Sequence, residues 1–480
     1  MRIGLVGSSL LVISLALSAC GSQDRRSDQP KSLTLDQVRW SDSTARQLRD
    51  AIGKRAAHGL DQKQFGSDGA ATGALDQARL NEAALAYAGA LAHGASDPGK
   101  LFKIYSVGRP QPDLRAGLAQ ALKDGKVGEW LESLAPQDEN YRKLSQAYLA
   151  LRKQGDSAAP AIPQVSEPLK PGVTDKRIPA IAAQLVAFDY LDKGAAQGER
   201  YTAAMARAVQ RMQADYGIDP DGTIGSDALE ILNLSDADRA RAIAVNMERL
   251  RWLEREPPAT RIDVNIAAAR LTYWRDGKIA DARKVIVGEP DTETPQLGSP
   301  IVNLVANPTW TVPASIASKE IAGKGAGYLR RNNMAWKNGK IVQQPGPRNS
   351  LGLVKFDMEN PHSIYLHDTP VKQLFAEVQR QRSHGCVRVD DALGFAEILA
   401  RDEGVLDQWH QARTTGKETF VKLPRQIPVR LLYQTVVFNP EGELVMRGDP
   451  YGWNDRVAEA LGFKIGAGRR VRSDAGDIGP

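Results

Sequence analysis

A histidine and a cysteine with the residue types needed for nucleophilic catalysis lie close together in the sequence. Cys386 occurs in the run SHGCVR (383–388), and His367 occurs upstream in YLHD (365–368). A thiol attacks as its thiolate, and a neighbouring imidazole takes the proton and stabilises the resulting ion pair. Gly385 lets the backbone approach a substrate carbonyl, so the N–H groups of Gly385 and Cys386 are candidates for an oxyanion hole. The pattern predicts nucleophilic catalysis by Cys386 with His367 as its base.

The local pattern predicts how these side chains are positioned. Residues 363–367 read as a strand with Tyr365 and His367 on one face. Pro370 is predicted to start a helix with an apolar stripe, and the chain then returns through residues 383–386. Because the valines at 387 and 389 are expected to face the core, Cys386 and Arg388 lie on the opposite side. Strand, helix and strand thereby bring His367 beside Cys386.

A metal site is an alternative use of the same residues. Three of the six histidines, His362, His367 and His384, surround Cys386 in this region, and zinc accepts nitrogen and sulfur ligands. However, His362 and His367 differ by five positions on a predicted strand, which places them on opposite faces. We therefore predict no metal and no other cofactor.

The elements around this motif follow a period of two. From Arg261 onward Ile262, Val264 and Ile266 alternate, and Asp276-Gly277 is a strong hairpin signal between further strand candidates. Residues 314–347, here called the lid insertion, interrupt this region with repeated glycines. They form either a mobile lid or a long hairpin.

Helical patterns dominate the first half of the chain. Residues 33–157 are predicted to form a scaffold of short helices, and a Pro-rich linker follows at 158–177. Residues 178–246 show amphipathic helices around the turn signal Asp221-Gly222.

The motifs resemble those of the L,D-transpeptidase family, in its large Gram-negative branch. The resemblance rests on His367 followed by SHGCVR, on residues 349–356 and 365–370, and on the run from Asn307 to Pro313. It implies that Cys386 is the nucleophile and His367 the base, and that His384 and Arg388 organise the site and bind substrate. An Arg388 guanidinium suits bidentate binding of a substrate carboxylate.

Tyr365 and Trp310 are further candidates from the same resemblance. Each is either a pocket residue or part of the hydrophobic core. Residues 178–246 resemble a three-helix peptidoglycan-binding domain, with Met212 where that family usually has an aromatic residue. A helical spacer without ligand affinity is the alternative for this segment.

The predicted fold class is therefore multidomain α+β. A helical scaffold and a small three-helix binding domain precede a β-rich L,D-transpeptidase catalytic domain at 247–440, which carries the lid insertion. Residues 441–480 are predicted to be a C-terminal extension with a basic tail.

The resemblance implies a peptidoglycan substrate. Cys386 would attack the third residue of a tetrapeptide stem, release D-Ala and pass the acyl group to a second stem, giving a 3→3 cross-link. Water as acceptor would make the enzyme an L,D-carboxypeptidase, and a cell-wall-binding structural lipoprotein with a silenced catalytic domain is a further alternative. The formal net charge of +6 is compatible with a carboxylate-rich polymer. The sequence contains no dense basic run with interleaved aromatic residues, which is the pattern that would indicate nucleic acid binding. It predicts no particular protein partner.

The N-terminus predicts export and lipid attachment. An apolar stretch ends at Leu17-Ser18-Ala19-Cys20, which resembles a bacterial lipobox. We therefore expect a signal peptide at 1–19, lipid on Cys20 and a polar stalk at 20–32. A plain signal peptide with an incidental Cys20 is the alternative. Gly21 rather than Asp after the cysteine favours the outer membrane, so the predicted location is the periplasm, with the protein anchored to that membrane.

Replacement of Cys20 tests the anchor separately from catalysis. We expect Cys20→Ala to release the protein from the membrane fraction of cells, because the site of acylation is lost. The purified enzyme is expected to keep its activity, since the stalk separates residue 20 from the catalytic domain. Fractionation followed by immunoblotting is the measurement, and a Cys20→Ala protein that stays in the membrane fraction would remove the anchor from this interpretation.

Overall fold

Apolar residues at helical and at alternating spacing produce two kinds of region along the chain. The computed structural model describes residues 33–66, 76–154, 161–195, 197–439 and 441–465. Its helices are α1 Asp42–Gly53, α2 Gln77–His93, α3 Pro98–Leu101, α4 Leu114–Asp124, α5 Val127–Leu134, α6 Glu139–Gln154, α7 Ile178–Ala187, α8 Ala203–Tyr216, α9 Ser226–Leu232, α10 Asp236–Arg251, α11 Ala314–Ile316, α12 Gly325–Arg331, α13 Ala392–Asp402, α14 Leu406–Thr414 and α15 Trp453–Leu461.

The strands concentrate in the second half. They are β1 Tyr105–Ser106, β2 Arg261–Asn265, β3 Arg270–Arg275, β4 Lys278–Gly288, β5 Gln296–Ala306, β6 Trp310–Thr311, β7 Met334–Lys337, β8 Lys340–Gln343, β9 Val354–Met358, β10 Leu366–His367, β11 Gln381–Ser383, β12 Val387–Val389, β13 Thr419–Leu432, β14 Val436–Phe438 and β15 Leu444–Met446. Short 3₁₀ segments connect several of these elements. The multidomain α+β class predicted from the sequence is confirmed.

Eight strands of the catalytic region form a closed hydrogen-bonded circuit. The order is β5-β13-β2-β3-β4-β12-β10-β9, and β9 pairs back with β5. Most neighbours are antiparallel, but β10 with β12 and β13 with β2 are parallel. The predicted hairpin at Asp276-Gly277 joins β3 to β4, and both turn residues have positive φ, as a tight hairpin turn requires.

Helix α13 packs its apolar face into the core of this circuit. Phe395 is fully buried, and its ring lies 5.5 Å from that of Phe356 and 6.0 Å from that of Tyr273. Asp391 caps the helix through a hydrogen bond from the Gly394 N–H. The helix thus stabilises the strands that carry the candidate site.

The predicted helix after Pro370 is replaced by a short 3₁₀ segment, Lys372–Ala376. Leu374 and Phe375 pack against Ile286 of β4, and the chain then becomes extended at Glu377. The Arg380 guanidinium donates to the Glu377 and Val285 carbonyl groups, which draws this segment onto β4. Pairing with a sheet edge therefore overrides the local helical pattern.

Two expected domain boundaries also differ from the structure. Helix α10 runs without a break through the predicted boundary at 246/247, because Ser235 and Asp238 form a capping box and no breaker follows. Residues 161–177 of the predicted linker are docked onto the binding domain, where Ile162 exchanges hydrogen bonds with Asn233 and Leu169 pairs with Ile224. The three-helix arrangement of α7, α8 and α9 agrees with the prediction.

The N-terminal predictions lie outside the described residues. The expected signal peptide, Cys20 and the stalk fall within residues 1–32, and the basic tail falls within 466–480. Among the described residues no helix is long and apolar enough to cross a membrane.

A buried ion pair on α10 joins the scaffold to the rest of the molecule. Glu248 and Arg251 are both fully buried and lie 2.7 Å apart. Glu248 also accepts hydrogen bonds from the backbone and hydroxyl of Ser96, at 2.7 and 2.6 Å. Arg251 donates to the His58 carbonyl and to the Tyr141 hydroxyl, each at 2.7 Å. Every charge in this cluster is therefore hydrogen-bonded, as burial of an ion requires.

Removal of the Glu248 carboxylate should destabilise this junction. We expect Glu248→Ala to lower the free energy of unfolding by about 3 to 5 kcal/mol, because the Arg251 guanidinium is left buried without its counterion. Urea unfolding followed by tryptophan fluorescence measures the change. Glu256→Ala, at an exposed position, is the matched control, and equal midpoints for the two variants would contradict the assignment.

Candidate active site

The parallel pairing of β10 with β12 places four polar side chains on one face. Leu366 is opposite Val387 and His367 is opposite Arg388. Paired residues of neighbouring strands project to the same side of a sheet, and successive residues alternate. Leu366 and Val387 are fully buried in the core of the circuit. The other face therefore carries Tyr365, His367, Cys386 and Arg388, as the strand patterns predicted.

His367 is held in a single tautomer by its neighbour. Its Nδ1 lies 2.5 Å from the Asp368 carbonyl oxygen. Because a carbonyl oxygen only accepts, Nδ1 carries the proton and Nε2 keeps its lone pair. The Nε2 atom is buried and has no hydrogen-bond partner among the described residues. His367 thus presents an unused proton acceptor within the site.

Asp368 is fixed in turn by residues on both sides. The Leu353 N–H donates to one carboxylate oxygen at 2.9 Å, and Lys372 pairs with the other. Gly352 has φ of +61°, and a Cβ there would meet the Asp368 side chain at 2.3 Å. Glycine is therefore required at 352 for the carboxylate to be seated.

The imidazole of His367 is neutral in this environment. Burial lowers the pKa of His367 to about 3, and the nearby Arg388 charge acts in the same direction, followed by Lys355 and Lys372. At neutral pH the ring is therefore available to accept a proton rather than to donate one.

The thiol of Cys386 is also uncharged at rest. Its Sγ lies 3.6 Å from the Ser363 carbonyl oxygen, to which the S–H donates. Burial raises the pKa of Cys386, although hydrogen bonds with Tyr365 and the charges of Lys355 and Arg388 partly oppose this. Both partners are thus neutral at rest, because burial penalises the charged form of each.

The loop that carries Cys386 is braced from within. Gly385 has φ of +112°, a conformation that a side chain strains. Ser383 Oγ donates to the Cys386 carbonyl at 2.5 Å and accepts from the Gly385 N–H at 3.2 Å. The Gly385 N–H is therefore engaged in this conformation. A role in an oxyanion hole stays a prediction for Gly385 and Cys386, and for Gly385 it requires this bond to break.

A second brace comes from residues that the sequence did not single out. The Thr294 hydroxyl donates to the Gly385 carbonyl at 2.9 Å, and the Thr294 N–H donates to the Tyr451 hydroxyl at 3.2 Å. Tyr451 in turn donates to the Gly288 carbonyl at 2.6 Å. Since Thr294 and Tyr451 are 157 positions apart, no local pattern links them. The C-terminal segment thereby supports the catalytic loop.

Tyr365 and Trp310 lie between the lid insertion and the thiol. The Tyr365 ring is half-buried, stands edge-on to the His367 ring at 5.7 Å and has Lys355 Nζ 4.6 Å from its centre. Burial raises the pKa of Tyr365, and a hydrogen bond with Trp310 lowers it. Trp310 is buried in the hydrophobic cluster of the lid insertion. Trp310 is thus a core residue whose cluster contacts Tyr365.

A close polar contact connects the lid insertion to the cysteine motif. His384 Nε2 lies 2.8 Å from Glu320 Oε1, and both side chains are largely shielded from solvent. Glu320 belongs to a π-helical turn, Ala317–Ile321, a feature that often marks functional sites. Glu320 is the sole acidic residue among residues 314–347, and this is the sequence signal that could have identified it.

Arg388 is not accessible in this conformation. Its side chain is fully buried, and its guanidinium donates to the Arg382 carbonyl at 3.4 Å. Its visible effect is electrostatic, through the lowered pKa of His367. Direct binding of a substrate carboxylate by Arg388 stays a prediction that requires the site to open.

The structure separates the residues of the alternative metal site. His362 is exposed, whereas His367 is fully buried. Within the described ranges no group of three or more His, Cys, Asp or Glu side chains is placed to hold a metal ion.

Three family models match successive parts of the chain. Residues 35–147 match the scaffold domain, residues 174–232 match the "Putative peptidoglycan binding domain", and residues 259–417 match the L,D-transpeptidase catalytic domain. The catalytic match contains β10 and β12 with Cys386 and His367.

A curated relative is named "Putative L,D-transpeptidase" and comes from Haemophilus influenzae. It is 29% identical over 263 residues, which cover 49% of this chain and 52% of the relative. The chain thus matches about half the length of this relative.

Two solved structures that match at low sequence identity are also named L,D-transpeptidases. An L,D-transpeptidase from Stackebrandtia nassauensis is 12% identical, with 57% of this chain and 97% of that chain covered and a TM-score of 0.24. One from Mycobacterium smegmatis is 13% identical, with 36% and 58% covered and a TM-score of 0.22.

The family matches confirm the resemblance that the motifs predicted. The chain carries an L,D-transpeptidase catalytic domain, preceded by a scaffold domain and a peptidoglycan-binding domain.

Proposed function

We propose that this protein is a peptidoglycan L,D-transpeptidase that works through a Cys386 thioester. The observation that carries the proposal is the state of His367. Its Nδ1–H is fixed on the Asp368 carbonyl, and its buried Nε2 has no partner among the described residues. This lone pair lies on the same face as the thiol. A neutral imidazole with one free nitrogen is what general-base activation of a thiol needs.

The first half of the reaction forms the acyl-enzyme. Cys386 Sγ attacks the amide carbonyl carbon of the third residue of a donor stem as its proton moves to His367 Nε2. The resulting imidazolium gives this proton to the departing nitrogen, the C–N bond breaks and D-Ala leaves. The Cys386 N–H is the predicted donor to the oxyanion. The neutral pair thereby becomes charged only when a substrate is present.

The second half transfers the acyl group. An amine from a second stem attacks the thioester carbonyl, His367 accepts the amine proton, and the C–S bond breaks to regenerate the thiol. The product is a 3→3 cross-link. If water replaced the amine, the product would be a shortened stem, as in an L,D-carboxypeptidase.

Incubation of purified cell walls with the protein tests the reaction. After muramidase digestion, mass spectrometry should show 3→3 dimers and free D-Ala with wild type and neither with Cys386→Ala. Tripeptide stems without dimers would replace the transpeptidase proposal by the carboxypeptidase. The absence of any product would favour a structural cell-wall lipoprotein with a silenced catalytic domain.

Acylation by a carbapenem tests the nucleophile directly. Cys386 is the free cysteine among the described residues, and we expect one stable covalent adduct on it by intact mass and peptide mapping. Cys386→Ser should fold and lose about 100-fold or more in acylation rate, because a hydroxyl is far harder to ionise than a thiol. An adduct on Cys386→Ala, or wild-type acylation by it, would rule out this nucleophile.

The pH dependence of acylation tests the base. Since the pKa of His367 is about 3 and that of Cys386 is raised, both groups stay neutral at weakly acidic and neutral pH. The wild-type rate should therefore be nearly flat from about pH 5 to about pH 7, whereas a resting ion pair would lose its thiolate as the pH falls.

His367→Gln supplies the matched comparison. Its rate at neutral pH should fall by about 100-fold, and it should rise about tenfold per pH unit toward the thiol pKa, since hydroxide then makes the thiolate. Circular dichroism checks that the variant is folded. A folded His367→Gln protein as fast as wild type at pH 7 would exclude His367 as the base.

A further inference from the structure

The lid insertion carries most of the excess positive charge of the molecule. Residues 314–347 contain six basic side chains and one acidic side chain, a net charge of +5, whereas the whole chain has +6. The acidic residue, Glu320, is already paired with His384. The basic residues, all exposed and without an ion pair to the described residues, are Lys319, Lys324, Arg330, Arg331, Lys337 and Lys340.

The hairpin of β7 and β8 concentrates this charge at its tip. Lys337 and Lys340 are direct cross-strand partners on either side of the Asn338-Gly339 turn. Like charges directly opposite each other destabilise a hairpin, and a bound anion would remove this penalty. Helix α12, which carries Arg330 and Arg331, packs beside β7. These clustered basic side chains form a surface that would bind an anionic partner.

Trp336 adds a large aromatic face to the same tip. Its side chain is 65% exposed, although its cross-strand partner Ile341 is buried in the cluster of the lid insertion. An exposed tryptophan with no structural use is unusual, because its burial would contribute to the core. Aromatic faces at binding surfaces contact the apolar faces of ligand rings.

We propose that the tip of the lid insertion (Trp336, Lys337 and Lys340, with Arg330 and Arg331) is a docking surface for peptidoglycan strands. Trp336 stacks on a sugar ring, and the cations pair with carboxylates of the stem peptides. This inference rests on the proposed function, because it assigns the same polymer to a surface outside the thiol site. The strand would be held on the outside of the lid insertion while one of its stems reaches Cys386.

Charge complementarity and apolar area favour a hydrated polymer over a membrane surface. The other large exposed hydrophobic residues of the described chain lie outside the lid insertion, at Leu149, Val173, Ile279, Phe420 and Ile465. Binding to a bilayer surface grows with the apolar area that is buried in it. A single tryptophan among cations offers little such area but suits a polymer of sugar rings and carboxylates.

Co-sedimentation of the full chain with purified peptidoglycan sacculi tests the surface. The variant is Trp336→Ala with Lys337→Glu and Lys340→Glu. The matched control is Phe420→Ala with Lys417→Glu and Lys422→Glu, which changes one exposed aromatic residue and two exposed lysines at the start of β13. We expect the tip variant to bind about tenfold more weakly at low salt, since loss of about 1.4 kcal/mol corresponds to that factor. The control should bind as wild type does.

Three further measurements identify the ligand and separate this inference from the proposed function. Amidation of the sacculus carboxylates should reduce the difference between wild type and the tip variant to the contribution of Trp336 stacking. Anionic phospholipid vesicles should bind neither protein. Carbapenem acylation of the tip variant should proceed at the wild-type rate, because a small acyl donor needs no outer surface. Failure of acylation in wild type would overturn the proposed function alone.

Two results would contradict the proposed docking surface. Equal binding of sacculi by wild type and the tip variant would overturn it. Vesicle binding that depends on Trp336 would assign the tip to a membrane surface instead.

Discussion

The site depends on a two-residue stretch of parallel strand pairing. Leu366 opposite Val387 and His367 opposite Arg388 fix which side chains face the core and which face the substrate, because a shift by one residue would exchange the two faces. A pair this short has little stability of its own. It persists since β9 and β4 flank it within a closed circuit, and since Ser383 and Thr294 hold the loop that enters β12.

Burial on both faces of this strand pair explains the electrostatics of the site. Arg388, fully covered, makes a positive charge on His367 costly, and the low-dielectric surroundings make a negative charge on Cys386 costly. His367 and Cys386 are therefore both neutral in the resting site. A resting thiolate would be open to oxidation, whereas a thiol that ionises only in the presence of a substrate is less reactive toward oxidants.

Sequence reasoning succeeded where local pattern and long-range structure coincide. The hairpin at Asp276-Gly277 and the alternation around Ile262 require only neighbouring residues, and the valines of β12 face the core as expected. The predicted helix after Pro370 failed because Arg380 and Phe375 bind to β4, a contact that no local pattern encodes. Thr294 and Tyr451 were missed for the same reason. The neutral resting state of His367 and Cys386 follows from burial, which depends on the whole fold.

The lid insertion is connected to the circuit through a narrow base. Asn349 and Gln343, both buried, bond to backbone groups at the two ends of the insertion, including the Pro308 and Arg348 carbonyls, and the insertion has its own hydrophobic cluster. A unit with a separate core and a fixed base tolerates changes on its outside without altering β10 or β12. The outer surface of the lid insertion can therefore change by substitution while the strand register that places His367 and Cys386 is kept.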